Sequence, residues 1–513
     1  MGIRDSSRSA GPALPRSAVE GLSAEPVPST SKRGRRVREG AIVTILTLLL
    51  TAFAVVTPAA AIEIKRVVSP GGIEAWLVED HKVPIIALEW AFEGAGASDP
   101  KGKEGLANLA ARTLDEGAGP YDSQAFAARL QDNAIGLGYD AGRDGFGGSL
   151  RTLSDRRDEA FELTRLSLAE PRFDAEAVER MRAAVLSSLR RDQADPNYVG
   201  RRLFYSTAYP GHPYGDEIRG TLESLPTITP DDLRGFVKNG FGRDRLVVAA
   251  AGDISPEDLG RALDHVFGGL PATSANAAIP DVEPKGLGET LVATRPTAQT
   301  VMLMGQTGLK RADPDWYAAT VMNYVLGGGG FGSRLMEEVR EKRGLSYGVY
   351  SYLIPMEHSA LVMAGGNTVN AKAGQALDIM RQEWKRMADQ GVTEEELADA
   401  KTYLTGSFPL QLSSTQAIAG ILLQVKRDEL GIDYLDRRDA FINGVTQADV
   451  QRVAKRLLDP NRLLTVLVGR PEGVTATRTI DGLSRIHIGR CRRRRARGTV
   501  WVRQRGTANI DKR

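Results

Sequence analysis

Cysteine and histidine are both scarce in this chain of 513 residues. The only cysteine is Cys491, so no disulfide can form within the chain, and the fold must be held by its hydrophobic cores. The five histidines are His81, His212, His265, His358 and His487. No two of them lie within 40 residues of each other, which excludes a helical pair of histidine ligands. We expect His212, in the turn-forming stretch "GHPYG", to be a structural or surface residue.

A strong excess of positive charge is confined to the two ends of the chain. Residues 1–61 hold eight Lys or Arg against four Asp or Glu, and residues 484–513 hold eleven against Asp511 alone. Because the net charge of the whole chain is only +3, the body between these ends is acidic. An acidic body argues against nucleic acid as the main partner.

The N-terminal segment has the pattern of an export signal. A basic stretch (31–40) precedes an unbroken apolar run (41–56), and "TPAAA" (57–61) supplies an Ala-x-Ala cleavage site. The apolar run is short for a membrane span, so a cleaved signal is favoured over a membrane anchor. The sequence therefore predicts a periplasmic protein, cleaved after Ala61.

An internal repeat is the strongest pattern in the body of the chain. Residues 227–255 align with 444–473, and the matched residues in that pair are 217 positions apart. Residues 172–189 resemble 391–408, with a spacing of 219. Repeats of this size predict two equivalent domains.

The sequence predicts five parts. They are an N-terminal extension and signal (1–61), an N-terminal domain (62–272), a linker (273–287), a C-terminal domain (288–475) and a basic, disordered tail (476–513). Each of the two domains alternates strand and helix patterns, which indicates an α+β fold.

Three stretches resemble the pitrilysin/insulinase family of zinc metallopeptidases. They are "GLANLAARTLDEG" (105–117), "YPGHPYG" (209–215) and "GGGGFGSRLMEEVREKRGLSYGVYS" (327–351). The resemblance covers both domains. It implies that each domain is a mostly antiparallel sheet packed with helices, and that the two face each other as half of a clamshell.

The zinc-binding motif of that family is degenerate here. The family carries H-x-x-E-H on one helix, in which the two His hold zinc and the Glu is the general base, and a further Glu ligand follows about 75 residues later. On this chain the two His positions fall on Asn108 and Arg112, the base on Ala111 and the last ligand on Ser188. The resemblance therefore implies that this chain has no catalytic residues and binds no metal.

A helix without ligands can still be retained for packing. Leu106, Leu109, Ala110 and Thr113 form an apolar stripe at helical spacing. A sharper hypothesis is that the guanidinium of Arg112 occupies the space of the missing zinc and pairs with Asp115 or other nearby acids.

The C-terminal domain retains a different motif. In the resembled family, an Arg and a Tyr seven residues later bind the substrate backbone and stabilise the reacting carbonyl. Arg340 and Tyr347 have this spacing, and the alternative is a solvated Arg with a core Tyr. The glycines of "LGGGGFG" (326–332) lack the Lys-Ser/Thr ending of a phosphate-binding loop and are interpreted as a hinge.

The resemblance implies a non-catalytic partner subunit of an exported zinc metalloendopeptidase. We expect the chain alone to be inactive, and to form a heterodimer with a sibling that carries H-x-x-E-H and the zinc. The pair would enclose an unfolded peptide substrate. Two alternatives stay open, which are a structural or peptide-binding scaffold and an independent metallopeptidase with a non-standard metal site.

Overall fold

The computed structural model of the protein describes residues 62–480. The predicted export signal with its cleavage site after Ala61, and all of the basic tail beyond residue 480, lie outside the described residues. Within 62–480, no helix is both long enough and apolar enough to cross a membrane.

The first sheet has six strands in the order β1-β2-β6-β3-β5-β4. The pairing of β2 with β6 is parallel and the other pairings are antiparallel. The strands are β1 (Lys65–Val68), β2 (Glu74–Glu79), β3 (Ile85–Glu93), β4 (Gly136–Ala141), β5 (Gly145–Leu153) and β6 (Leu246–Gly252).

The second sheet also has six strands, in the order β12-β7-β11-β8-β10-β9. The strand β7 pairs in parallel with both β11 and β12, and the other pairings are antiparallel. The strands are β7 (Thr290–Thr294), β8 (Gln299–Thr307), β9 (Ser346–Pro355), β10 (Ala360–Val369), β11 (Leu464–Gly469) and β12 (Arg478–Ile480).

Helices cover both sheets, because each sheet has apolar residues on both of its faces. Two π-helical turns, Tyr324–Gly328 and Met336–Glu341, lie in the second domain. The α-helices are α1 (Leu106–Ala111), α2 (Ser123–Asp132), α3 (Arg157–Ala169), α4 (Ala175–Asp192), α5 (Pro196–Ala208), α6 (Pro230–Gly240), α7 (Pro256–Phe267), α8 (Trp316–Asn323), α9 (Ala373–Gln390), α10 (Glu394–Gly406), α11 (Thr415–Arg427), α12 (Tyr434–Asn443) and α13 (Gln447–Leu457).

Two of these helices are exchanged between the domains. The helix α5 belongs to the first half of the chain, but its Leu203 and Phe204 pack in one cluster with residues of the second sheet. The helix α11 belongs to the second half, and its Ala419 and Leu422 pack on alanines of β3 and β6 in the first sheet. Both helices have 13 residues. Each sheet is therefore completed by a helix from the other half of the chain.

The predicted α+β class is confirmed, with two domains that each contain a mostly antiparallel sheet packed with helices. The stretch "GKEGLANLAARTLDEG" (102–117) predicts a helix that Gly117 stops, and this prediction is wrong at the end of the helix, because α1 stops at Ala111. The hydroxyl of Thr113 donates to the carbonyls of Leu109 and Ala110, and the following residues form turns. A side-chain hydroxyl that bonds to the preceding turn in this way competes with the regular helix ladder.

Candidate functional site

Arg340 and Tyr347 lie at the open edge of the second sheet. Arg340 is in the π-helical turn Met336–Glu341, and Tyr347 is the second residue of the edge strand β9. The guanidinium carbon of Arg340 is 5.0 Å from the centre of the Tyr347 ring. The structure therefore brings the two residues together.

Phe331 completes this site from the glycine-rich segment. Its ring centre lies 4.5 Å from the Arg340 guanidinium, so the cation contacts one ring from Phe331 and one from Tyr347. Each such cation–π contact stabilises the position of a guanidinium by a modest free energy. The sequence does not predict a role for Phe331, for which its one signal is a lone aromatic residue among glycines.

The polar atoms of the site are accessible. Tyr347 is 85% exposed and Phe331 is 66% exposed, whereas the Arg340 side chain is 27% exposed. The nearest carboxylate oxygen to Arg340 belongs to Glu341, 3.3 Å from its Nε. Among residues 62–480 the Tyr347 hydroxyl has no hydrogen-bond partner. The site thus offers a held cation beside a free phenol hydroxyl.

Local backbone irregularity aims Tyr347 away from the sheet core. The pairing between β9 and β10 is interrupted between Gly366 and Thr368, next to the start of β9. Bulges of this kind redirect side chains and are frequent near functional sites. Further along β9, Tyr350 and Tyr352 are 50% and 38% exposed. The open edge of this sheet therefore exposes several aromatic side chains.

The degenerate motif lies on the short helix α1 of the first domain. Asn108 and Arg112 are one turn apart, and the Nε of Arg112 donates to the Oδ1 of Asn108 at 3.3 Å. Ala111 is buried in the core of this domain. Ser188 lies on α4, where its hydroxyl is 3.3 Å from a carboxylate oxygen of Asp192. The helical register of the motif is thus retained without its ligands.

The hypothesis that Arg112 replaces a zinc ion is wrong. Its side chain is exposed, and within the described residues it forms no ion pair. Burial raises the pKa of the Asp115 carboxyl, which is not bonded to Arg112. A guanidinium in water gains more from solvation than from a buried position without a strong partner.

Asp99 fixes the N-terminus of α1. Its carboxylate accepts the backbone N–H groups of Gly105 and Ala107, at 2.8 and 3.0 Å. Burial nevertheless raises the pKa of Asp99 to about 7. Gly105 has a φ of +94°, and a Cβ there would lie 2.6 Å from the Cα of Gly220. The start of the helix is thus closely fixed although its zinc ligands are absent.

The side chains at the motif positions do not fit a zinc ion. They are an amide, a methyl group, a guanidinium and a hydroxyl, none of which is a thiolate, imidazole or carboxylate ligand. Between residues 62 and 480, no three His, Cys, Asp or Glu side chains are grouped as a metal site requires. No catalytic step through a metal can be derived for this helix.

A partly buried carboxyl joins the first sheet to the exchanged helix α11. Glu89 lies on β3 and accepts a hydrogen bond from the Nε2 of Gln416 on α11. Burial raises the pKa of Glu89 to about 7, and the neighbouring Asp140 carboxylate acts in the same direction. The contact between the sheet and the exchanged helix therefore contains a titratable group.

Known proteins with this architecture are similar over most of the chain. A crystal structure of a peptidase M16 inactive domain from Pseudomonas fluorescens superposes with a TM-score of 0.74 at 29% identity, over 81% of this chain and 98% of that one. The non-peptidase homolog YmxG of Helicobacter pylori is 30% identical over 337 residues, which cover 65% of this chain and 77% of that protein. An uncharacterized zinc protease of Streptomyces coelicolor is 30% identical over 318 residues, or 60% of this chain and 68% of that one.

The chain belongs to the peptidase M16 family. This confirms the predicted resemblance to the pitrilysin/insulinase metallopeptidases. The model of the peptidase M16 inactive domain matches residues 227–404. In this M16 chain the matched range includes Phe331, Arg340 and Tyr347, whereas α1 lies outside it. The chain therefore carries the inactive domain of the family together with the Arg and Tyr side chains.

Proposed function

We propose that this M16 chain is the non-catalytic subunit of an exported zinc metalloendopeptidase. In this proposal Arg340 and Tyr347 bind the substrate and stabilise the reacting carbonyl in an active site completed by a second chain. The observation that carries the proposal is their geometry, a guanidinium held between two rings beside an accessible hydroxyl. The names of the inactive M16 domain and the non-peptidase homolog support a role without catalysis in this chain.

The chemistry of amide cleavage explains why this pair is useful. Attack on the scissile carbonyl places negative charge on its oxygen, and a cation with a hydroxyl donor stabilises that charge. Within residues 62–480 the one ion pair of Arg340 is with Glu341, 3.3 Å from its Nε, so its other N–H groups can bind a substrate oxygen. The general base and the metal would both come from the partner, because α1 supplies neither.

The partner is proposed to be a sibling chain with an intact H-x-x-E-H motif, and the substrate an unfolded peptide. Export is part of the proposal and is supported by the basic and apolar stretches before Ala61. If the partner did not exist, the scaffold alternative would replace this proposal.

The direct test mixes this chain with the zinc-bearing sibling and measures peptide cleavage. Losing one donor to the developing oxyanion costs roughly 100- to 1000-fold in turnover. We therefore expect Arg340→Ala and Tyr347→Phe to reduce cleavage by that order while the heterodimer still forms in size-exclusion chromatography. Tyr347→Phe is the sharper variant, because it removes one hydroxyl and keeps the ring that contacts Arg340.

A matched control is Tyr350→Phe, which removes an exposed hydroxyl from the same strand. It should leave cleavage near the unmodified rate. If Arg340→Ala and Tyr347→Phe both assemble and cleave at full rate, the pair is structural and the scaffold function is correct. Chelator-sensitive cleavage by the purified chain alone, with about one zinc per chain, would instead identify an independent metallopeptidase.

A further inference from the structure

The bulge at the start of β9 places Tyr347 on the same face of the sheet as two later tyrosines. Ser346 pairs with Thr368 and Val349 pairs with Gly366, so three steps along β9 oppose two steps along β10. Side chains alternate between the faces of a strand, and one extra residue shifts that alternation by one position. The exposed side chains on the face opposite Val349 are therefore a row of three, Tyr347, Tyr350 and Tyr352.

The exchanged helix α5 covers the same face of the sheet, next to this row. Tyr350 on β9 is paired with Gly365 on β10, and Gly365 is paired with Leu303 on β8. The Leu303 side chain lies under α5, since its Cδ1 is 3.1 Å from the position of a Cβ at Gly200. Because Gly365 has no side chain, the surface between the tyrosines and the helix is a shallow groove.

The far end of the groove, at Tyr352, is bounded by the next turn of α5. Tyr352 is paired with Met363, and Met363 is paired with Gly305. The Phe204 ring lies over Gly305, 2.9 Å from the position of a Cβ there, and Tyr205 follows it on the helix. The structure therefore brings α5 beside the end of the tyrosine row.

Two arginines lie at this end of the groove, on either side of Tyr205. Arg201 precedes Tyr205 by one helical turn, so their side chains are neighbours on α5. The guanidinium carbon of Arg143, in the β4–β5 turn, is 4.7 Å from the centre of the Tyr205 ring. Burial raises the pKa of the Tyr205 and Tyr352 hydroxyls, and the charge of Arg201 opposes this rise on both. Arg201 is therefore near both hydroxyls.

This end of the groove has unused donors and an excess of positive charge. Arg201 is exposed, and among residues 62–480 it has neither an ion pair nor a hydrogen-bond partner for its side chain. The same holds for the Tyr205 and Tyr352 hydroxyls. The nearby Asp144 carboxylate is already engaged, because it accepts the Tyr214 hydroxyl at 2.6 Å. A planar guanidinium beside hydroxyl donors is well suited to bind a carboxylate.

We propose that Arg201, with the hydroxyls of Tyr205 and Tyr352, binds a carboxylate of the peptide substrate. The peptide lies along the tyrosine row, from the Arg340–Tyr347 pair to Arg201. Tyr347 and Tyr352 are roughly 15 Å apart along the strand, which about four or five residues of extended peptide span. This inference rests on the proposed function for the identity of the ligand, and it adds a required charge at a defined distance from the scissile bond.

The test measures peptide binding to this chain alone by fluorescence anisotropy. It uses three labelled, unfolded peptides of equal length, which have a free C-terminus and no acid, an amidated C-terminus with one internal Asp, or an amidated C-terminus and no acid. At least one carboxylate peptide should bind roughly tenfold more tightly than the neutral peptide, since a hydrogen bond to a charged group is strong. A preference for the free C-terminus alone identifies a site for the end of a chain, and a preference for both identifies a site for any carboxylate.

Arg201→Gln should remove the preference, and Arg201→Lys should retain part of it as a point charge. Arg151→Gln is the matched control and should retain it in full. Arg151 is also an exposed arginine without an ion pair among the described residues, and it lies about 20 Å along β5 from the β4–β5 turn. Equal affinity for the three peptides, a preference that survives in Arg201→Gln, or no binding of any peptide at about 1 mM would overturn the proposal.

Cleavage by the reconstituted pair separates this proposal from the proposed function. Arg201→Gln should raise KM for the carboxylate peptides roughly tenfold with unchanged turnover, whereas Arg340→Ala should lower turnover. Mass spectrometry should place the cut about four or five residues from the carboxylate, and cuts at unrelated positions would contradict the alignment of the peptide. If Arg340→Ala cleaves at full rate while the binding preference persists, only the proposed function is contradicted.

Discussion

At the scale of single residues, Glu89 links the stability of the fold to pH. Its pKa is raised from 4.5 to about 7, so between those values the folded state holds a proton that the unfolded state has lost. Stability from this group is therefore complete below about pH 4.5 and decreases as the pH rises to about 7. Above that range the cost of the buried charge is constant.

Glu89→Gln should remove this dependence. An amide keeps the shape and can still bond to Gln416, so the variant should be more stable above pH 7, by on the order of 1–3 kcal/mol. Urea unfolding across pH 4 to 8 measures the effect. Glu93→Gln, an exposed position on the same strand, is the control and should change little. A stability difference between Glu89→Gln and the unmodified chain that does not vary with pH would contradict the interpretation.

Phe331 should contribute to the proposed active site by an amount much smaller than Arg340. An exposed cation–π contact is worth about 0.5–1 kcal/mol, so Phe331→Leu should reduce cleavage by the reconstituted pair about two- to fivefold. Phe331→Tyr keeps the ring and should retain the rate. If Phe331→Leu were as inactive as Arg340→Ala, the ring would have to contact the substrate directly.

At the scale of elements, equivalent helices of the two domains begin with the same capping box. Thr229 and Asp232 exchange hydrogen bonds at the start of α6, and Thr446 and Asp449 do so at the start of α13. Asp232 also accepts from the Nζ of Lys103 at 2.7 Å, so the first box ties the helix to the loop before α1. The two caps are therefore similar in local geometry but differ in tertiary contacts.

Thr446→Ala should cost about 1 kcal/mol of unfolding free energy, the usual cost of losing an N-cap. Thr229→Ala should cost more, because the Asp232 carboxylate that it orients also holds Lys103. Thr→Ser at either position keeps the hydroxyl and serves as the control. Denaturant unfolding measures both, and a larger loss for Thr446→Ala would contradict this order.

Elements differ in how far the sequence predicts them. The apolar runs of β2, β3, β6 and β8 identify those strands directly. The strand β5 has little apolar alternation, because Gly148 must leave room for Trp90, whose indole would lie 2.2 Å from a Cβ there. For the helix α5, no local sequence pattern states which sheet its apolar face covers. The exchange of α5 and α11 could therefore not be predicted.

The candidate site, too, is only partly predictable from the sequence. The spacing of Arg340 and Tyr347 and the degenerate positions of α1 are sequence features, and the family resemblance made them interpretable. The contact of Phe331 with Arg340 depends on the π-helical turns on either side of Phe331, which the sequence pattern does not specify. The solvent-facing position of Arg112 likewise depends on where α1 ends, and helix ends are the least predictable part of an element.

At the scale of the whole molecule, the helix exchange makes the two domains depend on each other. Without α11, the Ala87, Ala91 and Ala249 side of the first sheet would be open to water. Without α5, the same would hold for Val301 and Val466 in the second sheet. Apolar sheet faces that are exposed to water favour aggregation. Neither half should therefore be stable alone, although each contains a complete six-stranded sheet.

The test expresses residues 62–272 and 288–480 separately and together. We expect each fragment alone to be insoluble or loosely packed, and the co-expressed fragments to elute as one complex with the thermal stability of a folded protein. Ala419→Asp, which places a charge between α11 and the alanines of the first sheet, should prevent the complex. Gly420→Asp is the matched control, since a Cβ at Gly420 meets no atom within 4 Å, and it should leave assembly intact. Two separate, well-folded monomers would show that the exchanged helices add little to the stability of either domain.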